Sequence, residues 1–181
     1  MTLVDTDKRI CYLSDDIDNN SIAEIAHNIL CLIKEDDKKE RKEKGFKRKP
    51  ISIYINSYGG SIYDMWALID IILNSKTPIY TYCTGYAMSA GCKIFLAGHK
   101  RFMSRHATLL YHQLSAWRGG KYQDLVEDRK EMDCLQNTIE EYILERTKIS
   151  KEKLRKIREN KIDYYIHADE AIGLGFADEI I

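Results

Sequence analysis

Apolar residues recur with two different periods along this chain of 181 residues. Short runs rich in β-branched and aromatic residues predict strands at residues 9–14, 51–55, 79–84, 101–104 and 107–113. Apolar residues three or four positions apart predict helices after the first two runs, the first with Ser21 and Glu24 as a capping box. Strands and helices therefore alternate, which predicts an α/β fold, and the length favours one domain over residues 1–181.

The longest predicted helix runs from about residue 122 to residue 147. Its single apolar stripe consists of Leu125, Met132, Leu135, Ile139 and Ile143. A helix of this length exceeds what a compact domain requires, so we expect it to leave the body of the domain and to pack against a partner subunit. Ile139 and Ile143 are then interface residues, and packing within the subunit is the alternative.

Charge is concentrated between Lys34 and Lys49, where nine residues are basic and five are acidic. Such a segment is too charged to bury, so we expect a solvated helix end followed by a loop. A nucleic-acid surface is disfavoured, because acidic residues are mixed in and only Phe46 could stack on a base. The whole chain has 28 basic and 28 acidic residues, so neither nucleic acid nor a membrane is an expected partner.

The five cysteines are an odd number, and none belongs to a CxxC pair. This usage favours a reducing compartment, the cytoplasm. The histidines show no HExxH pattern, so neither a metal nor another cofactor is predicted. The first residues include acids where a signal peptide has an apolar run, and no stretch approaches the ~18 apolar residues of a membrane span.

Ser89 lies between the strand at residues 79–84 and a short apolar helix at residues 92–98. A hydroxyl at the first turn of a helix lies beside unpaired backbone N–H groups and the positive end of the helix dipole. Both favour a negative charge that forms nearby, which is what acyl transfer needs. A simple helix cap is the alternative interpretation of this serine.

Gly59 and Gly60 lie between the strand at residues 51–55 and the helix that follows it. Glycine allows a sharp turn there and lets a ligand approach the backbone N–H groups. Neither the GxGxxG nor the GxxxxGK pattern followed by Ser or Thr is present, so a nucleotide is disfavoured. A plain tight turn and an oxyanion site are the two interpretations that remain.

Four segments, in the same order along the chain, resemble the proteolytic subunits of the Clp serine protease family. INSYGGS at residues 55–61 is similar to the family's INSPGG turn, and GYAMSAG at residues 85–91 to its GQAASMG nucleophile segment. LLYHQ at residues 109–113 is similar to MIHQP, and residues 162–180 to RDRFLSAPEAVEYGLVDSI. Together the segments extend the resemblance over about residues 8–181.

The resemblance implies a role for each candidate site residue. Ser89 is the nucleophile, His112 the general base and Asp163 the carboxylate that orients the histidine. The backbone N–H groups of Gly60 and Ala90 form the oxyanion hole.

The resemblance also implies a fold and an assembly. The fold is a spiral of strand-strand-helix repeats, with the helix at residues 122–147 as a protruding handle. In the family such handles join two seven-membered rings into a hollow barrel. We therefore expect a homo-oligomeric serine endopeptidase that acts on peptides or unfolded proteins.

The chain also departs from the family pattern. It begins almost at its first predicted strand, where family members have a segment that forms axial loops. An ATP-driven unfoldase is therefore a doubtful partner, and we expect peptide cleavage with little help from one. Tyr58 and Leu114 replace prolines beside the glycine turn and the histidine, which predicts a reshaped peptide groove. The charged segment at residues 34–49 is longer than the family's turn.

Three alternatives share this fold. A catalytically silent ring component and a phage-type capsid maturation protease are both compatible with the sequence. A crotonase-type acyl-CoA enzyme has the same spiral and a backbone oxyanion hole. It has no use for a matched serine, histidine and aspartate, which argues against it.

Overall fold

A computed structural model describes residues 2–181, which form eight strands and six helices. The strands are β1 (Thr2–Asp5), β2 (Ile10–Leu13), β3 (Ile51–Ser57), β4 (Ile79–Met88), β5 (Lys100–Met103), β6 (Thr108–Tyr111), β7 (Tyr164–His167) and β8 (Glu179–Ile180). The helices are α1 (Asn19–Lys42), α2 (Ile62–Leu73), α3 (Ala90–Ala97), α4 (Tyr122–Arg146), α5 (Lys151–Glu159) and α6 (Ala168–Gly173). The prediction of a chain start without an axial segment concerns Met1, which lies outside the described residues.

One sheet joins the strands in the order β1-β2-β3-β4-β5-β8, and β6 and β7 extend from β4. Strands β2 to β5 are parallel, so each connection must cross over the sheet, and α1, α2 and α3 lie in these crossovers. The first part of β4 pairs with β5, whereas its last residues, Tyr86 to Met88, pair with β6. Because the two ends of β4 pair with different strands, the sheet changes direction there. This arrangement confirms the predicted α/β spiral.

The two faces of the central strands differ. Alternate residues of β3 are buried, as expected for a strand with one face against the core. On the other face, rings of neighbouring strands stack, with Tyr54 4.6 Å from Tyr82 and Tyr82 4.7 Å from Phe102 between ring centroids. The buried residues form one cluster beneath α1, α2 and α3.

Helix α4 is divided into a packed half and an exposed half. The residues buried along it, Gln136, Ile139, Tyr142 and Ile143, all lie in its C-terminal half. Near its start, Tyr122 is 82% exposed and Leu125 is 42% exposed. The prediction that Ile139 and Ile143 are interface residues is therefore wrong, because both already pack in the subunit's own core. The start of α4 is exposed, and its role as a protruding handle stays a prediction.

The charged segment after the first predicted helix is more ordered than its composition suggests. Helix α1 continues to Lys42, and Asp36 within it is only 1% exposed. The expectation that this whole segment is solvated is therefore wrong at Asp36. The start of α1 also differs from the prediction, since Asp18 is the cap and Ser21 is its partner in the capping box.

Asp36 is buried because it has close polar partners. Arg9 donates two hydrogen bonds to its carboxylate, at 3.2 and 2.7 Å, and the Thr77 hydroxyl donates a third at 2.8 Å. Arg48 in turn donates to the Thr77 hydroxyl at 3.0 Å. Paired charges of this kind are the ones that a protein interior accepts.

No helix within residues 2–181 is both long enough and apolar enough to cross a bilayer.

Candidate active site

Ser89 occupies a strained turn between β4 and α3. Its backbone angles are φ 51° and ψ −119°, in a region that L residues seldom adopt. The Ser89 N–H donates to the carbonyl of Leu110 at 2.9 Å, which ties the turn to β6. The Ser89 side chain makes no capping hydrogen bond to α3, so the interpretation of this serine as a simple helix cap is wrong. Its hydroxyl is left for another use.

The glycine turn after β3 is pressed against this serine. Gly59 and Gly60 have φ values of +111° and +148°, which favour glycine. A Cβ atom on Gly59 would lie 2.7 Å from the Cβ atom of Ser89, and one on Gly60 would lie 2.2 Å from the carbonyl oxygen of Ile17. No side chain fits at either position, so the backbone of the turn comes within reach of Ser89.

Two backbone N–H groups in this region are placed to act as donors. Ala90 is the first residue of α3, so its N–H has no acceptor within the helix. The hydrogen bonds that join the turn to Ile17 use the carbonyl of Gly59 and the N–H of Ser61, at 2.7 Å each. The N–H of Gly60 lies between them and takes no part in either bond.

Sheet register brings the other two predicted residues towards Ser89. Met88 pairs with Leu110 between β4 and β6, and His112 follows two residues later. Tyr111 pairs with Tyr164 between β6 and β7, which are antiparallel. Asp163 directly precedes β7, so the same register continued by one residue places it opposite His112.

Four of the five predicted site residues line one cavity of about 70 Å³. They are Gly60, Ser89, Ala90 and His112. The other lining residues are Ile62, Met65, Lys93, Gln113, Leu114, Ser115 and Ile139.

Asp163 is outside this cavity and is exposed. Among the hydrogen bonds within residues 2–181, none joins Ser89 to His112 or His112 to Asp163. Catalytic hydrogen bonds often tighten only when substrate binds. The assignment of the three residues as a triad stays a prediction.

Burial, two charges and a backbone hydrogen bond with Gln113 act on the pKa of His112. Burial lowers its pKa below the ordinary value, and the nearby ammonium of Lys93 lowers it further. The Asp163 carboxylate acts in the opposite direction with a smaller effect. The sequence-based expectation that Asp163 raises this pKa has the right sign for Asp163, but the net shift is downward.

Lys93 is the residue of this site that sequence reasoning missed. It is 4% exposed, and its ammonium lies 5.2 Å from the centroid of the Tyr111 ring. Burial lowers its pKa to about 8. The sequence does contain a signal, because Lys93 is the only charged residue of an otherwise apolar helix.

The segment that follows His112 is held by α4. The N–H of Leu114 donates to the side-chain oxygen of Gln136 at 2.7 Å. Leu114 lines the cavity, whereas the ring of Tyr58 lies 4.3 Å from that of Tyr86. Of the two residues expected to reshape the peptide groove, Leu114 is thus the one at the cavity itself.

A strained serine, a half-buried histidine and two backbone N–H donors around one cavity are features of serine hydrolases. The chain belongs to the Clp protease family, whose model matches residues 4–181. This assignment confirms the resemblance seen in the four sequence segments and the predicted class of enzyme, a hydrolase that acts on peptide bonds.

Individual relatives agree with the family model. An ATP-dependent Clp protease proteolytic subunit from Deinococcus radiodurans is 29% identical over 175 residues, which are 96% of this chain and 80% of that protein. An ATP-dependent Clp protease proteolytic subunit 2 from Frankia casuarinae is 32% identical over 176 residues, 96% of this chain and 76% of its own length. A subunit 1 from Prochlorococcus marinus is 28% identical over 176 residues, with 96% and 84% covered.

Proposed function

We propose that this chain is a serine endopeptidase in which Ser89 forms an acyl-enzyme with the substrate. His112 accepts the hydroxyl proton as Ser89 attacks the peptide carbonyl, and it then delivers that proton to the leaving amine. His112 then accepts a proton from the water that attacks the resulting ester, and it returns a proton to the Ser89 oxygen as the ester breaks. Asp163 holds the imidazole in one tautomer and stabilises its charged form.

The oxyanion of the tetrahedral intermediate receives hydrogen bonds from the N–H groups of Gly60 and Ala90. Loss of one such donor in related chemistry slows the reaction by about 10²- to 10³-fold. The positive end of α3, which begins at Ala90, adds to this stabilisation. The observation that supports the proposal most is the single cavity lined by Gly60, Ser89, Ala90 and His112.

We also propose that the active form is a ring of identical subunits, in which the exposed start of α4 contacts a second copy of the chain. Tyr122 and Leu125 are apolar side chains that face solvent there in the isolated subunit. Burial of apolar area is the main driving force of subunit association.

The test is cleavage of a short fluorogenic peptide by the purified, sized protein. We expect turnover by the wild type and none by Ser89→Ala. Ser104→Ala is the matched control, since Ser104 follows β5 and lies outside the cavity, and it should retain full activity. Equal turnover by Ser89→Ala would refute the mechanism. A folded ring without turnover would favour the alternative of a catalytically silent component.

A further inference from the structure

The cavity beside Ser89 contains a cation and no acid. Lys93 and His112 are the basic residues of its lining, and neither aspartate nor glutamate is among the described residues that line it. The Lys93 N–H donates to the carbonyl of Ser89 at 3.4 Å, and both residues line the cavity. The inner wall of the cavity is therefore positively charged.

The charge on Lys93 has no counter-ion among the described residues. Every ion pair found in residues 2–181 involves other residues, and the ammonium of Lys93 contacts the ring of Tyr111 instead. The hydroxyl of Tyr111 is itself buried without a hydrogen-bond partner among the described residues. A buried ammonium without an anion is unfavourable. A carboxylate that entered the cavity would supply the missing partner.

The position of the cavity identifies the part of the substrate that enters it. It includes Ser89 and both proposed oxyanion donors, Gly60 and Ala90. The substrate residue whose carbonyl is attacked is therefore the one whose side chain lies nearest to this cavity. The cavity of about 70 Å³ is several times the ~10–15 Å³ that one water needs, which is room for a short side chain.

We propose that Lys93 selects substrates with an acidic residue, aspartate in particular, on the acyl side of the bond that is cleaved. This specificity rests on the proposed function of Ser89. Burial keeps the pKa of Lys93 at about 8, so the side chain is still mostly charged at neutral pH. Aspartate and asparagine have nearly the same size, so the charge alone distinguishes them.

The experiment compares N-acylated peptide coumarin amides that differ only in aspartate or asparagine before the coumarin. We expect kcat/KM of the wild type to favour aspartate by about tenfold to hundredfold, the usual worth of a charged hydrogen bond. Lys93→Met and Lys93→Gln should both lose this preference. Two replacements are used so that a folding defect in one leaves the other to decide.

Lys100→Met is the matched control. The ammonium of Lys100 also lies over an aromatic ring, 4.7 Å from the centroid of Phe102, but it is on the surface and pairs with Glu179. This variant should keep the preference for aspartate. A wild type that prefers asparagine, or Lys93 variants that still prefer aspartate, would overturn the inference.

A binding measurement separates this inference from the proposed function. In Ser89→Ala, an acylated peptide that ends in aspartate should bind at least about tenfold more tightly than its asparagine analogue, as measured by calorimetry. The difference should vanish when Lys93→Met is added. Selective binding without any acylation of Ser89 in the wild type would refute the mechanism and support the role of Lys93. Acylation of Ser89 with equal binding of the two peptides would support the mechanism and refute the role of Lys93.

Discussion

Two buried cations in this subunit differ in whether an acidic side chain pairs with them. The side chain of Arg9 is 14% exposed and pairs in a two-bond contact with Asp36, which Thr77 also contacts. Lys93 is buried to a similar degree and has no acidic partner within the described residues. The first cation is ion-paired and lies outside the cavity that Ser89 lines, whereas the second lines that cavity.

The difference shows how structural charge and functional charge can be told apart. A charge that only supports the fold is accompanied by its counter-ion, because removal of a partner leaves the other charge buried and unpaired. A charge that lacks its partner in the free subunit is available to a ligand. We therefore expect replacement of Asp36 to lower the stability, and replacement of Lys93 to change catalysis without lowering the stability.

The largest effect is expected on kcat, at Asp163 of the proposed catalytic site. Asp163→Asn should lower kcat by about 10³- to 10⁴-fold, because the amide leaves the imidazole in the wrong tautomer. Stability should hardly change, since Asp163 is exposed. Asp169→Asn is the control, because Asp169 is an exposed acid that pairs with Arg105 outside the cavity. Steady-state kinetics would count against the triad if both variants behaved alike.

The next largest effect is expected on the free energy of unfolding, at the ion pair of Arg9 with Asp36. Asp36→Ala should lower the free energy of unfolding by about 3–5 kcal/mol, because it leaves the Arg9 guanidinium buried without its anion. Urea unfolding measures this change. Lys93→Met should keep or raise the stability, because it removes an unpaired charge from the interior. If Lys93→Met were the more destabilising of the two, the distinction between the two cations would fail.

The pH dependence of kcat/KM separates the charges around His112. His112 must be neutral to accept a proton, so the rate falls as the pH drops through its pKa. Burial and Lys93 lower that pKa, which places the fall below about pH 6.5. Lys93→Met should move the fall to higher pH and Asp163→Asn to lower pH. Shifts in the same direction in both variants would contradict this arrangement.

The smallest effect is expected for an exposed ion pair. Arg105 and Asp169 are in contact at 2.7 Å, but their side chains are 58% and 86% exposed. Such pairs contribute about 0–1 kcal/mol. Arg105→Ala should therefore change the midpoint of urea unfolding very little. A loss as large as that of Asp36→Ala would mean that burial does not govern the worth of these pairs.

Local sequence pattern predicted the parts of the site that depend on one turn. The junction at Ser89 and the glycine turn at Gly59 and Gly60 both follow from a strand, a break and a helix in succession. The position of Asp163 opposite His112 follows instead from the pairing of β6 with β7, whose partners are far apart in the chain. Only the family resemblance related these two residues in advance.

Burial of charge was the property that sequence pattern predicted least well. Asp36 lies in a run of charges that reads as solvated, and its burial depends on Arg9 and Thr77 from distant segments. Lys93 reads as one polar residue in an apolar helix, and only the packing of α3 encloses it. In both cases the burial depends on tertiary contacts, which the local spacing of apolar residues does not reveal.

The central claim, that Ser89 is an activated nucleophile, is tested most directly by covalent labelling. The wild-type protein is treated with a serine-reactive fluorophosphonate and the modified peptide is mapped by mass spectrometry. The account predicts one label, on the peptide that contains Ser89, and a much slower reaction in His112→Ala. A label on a different serine, or the same rate of labelling without His112, would contradict it.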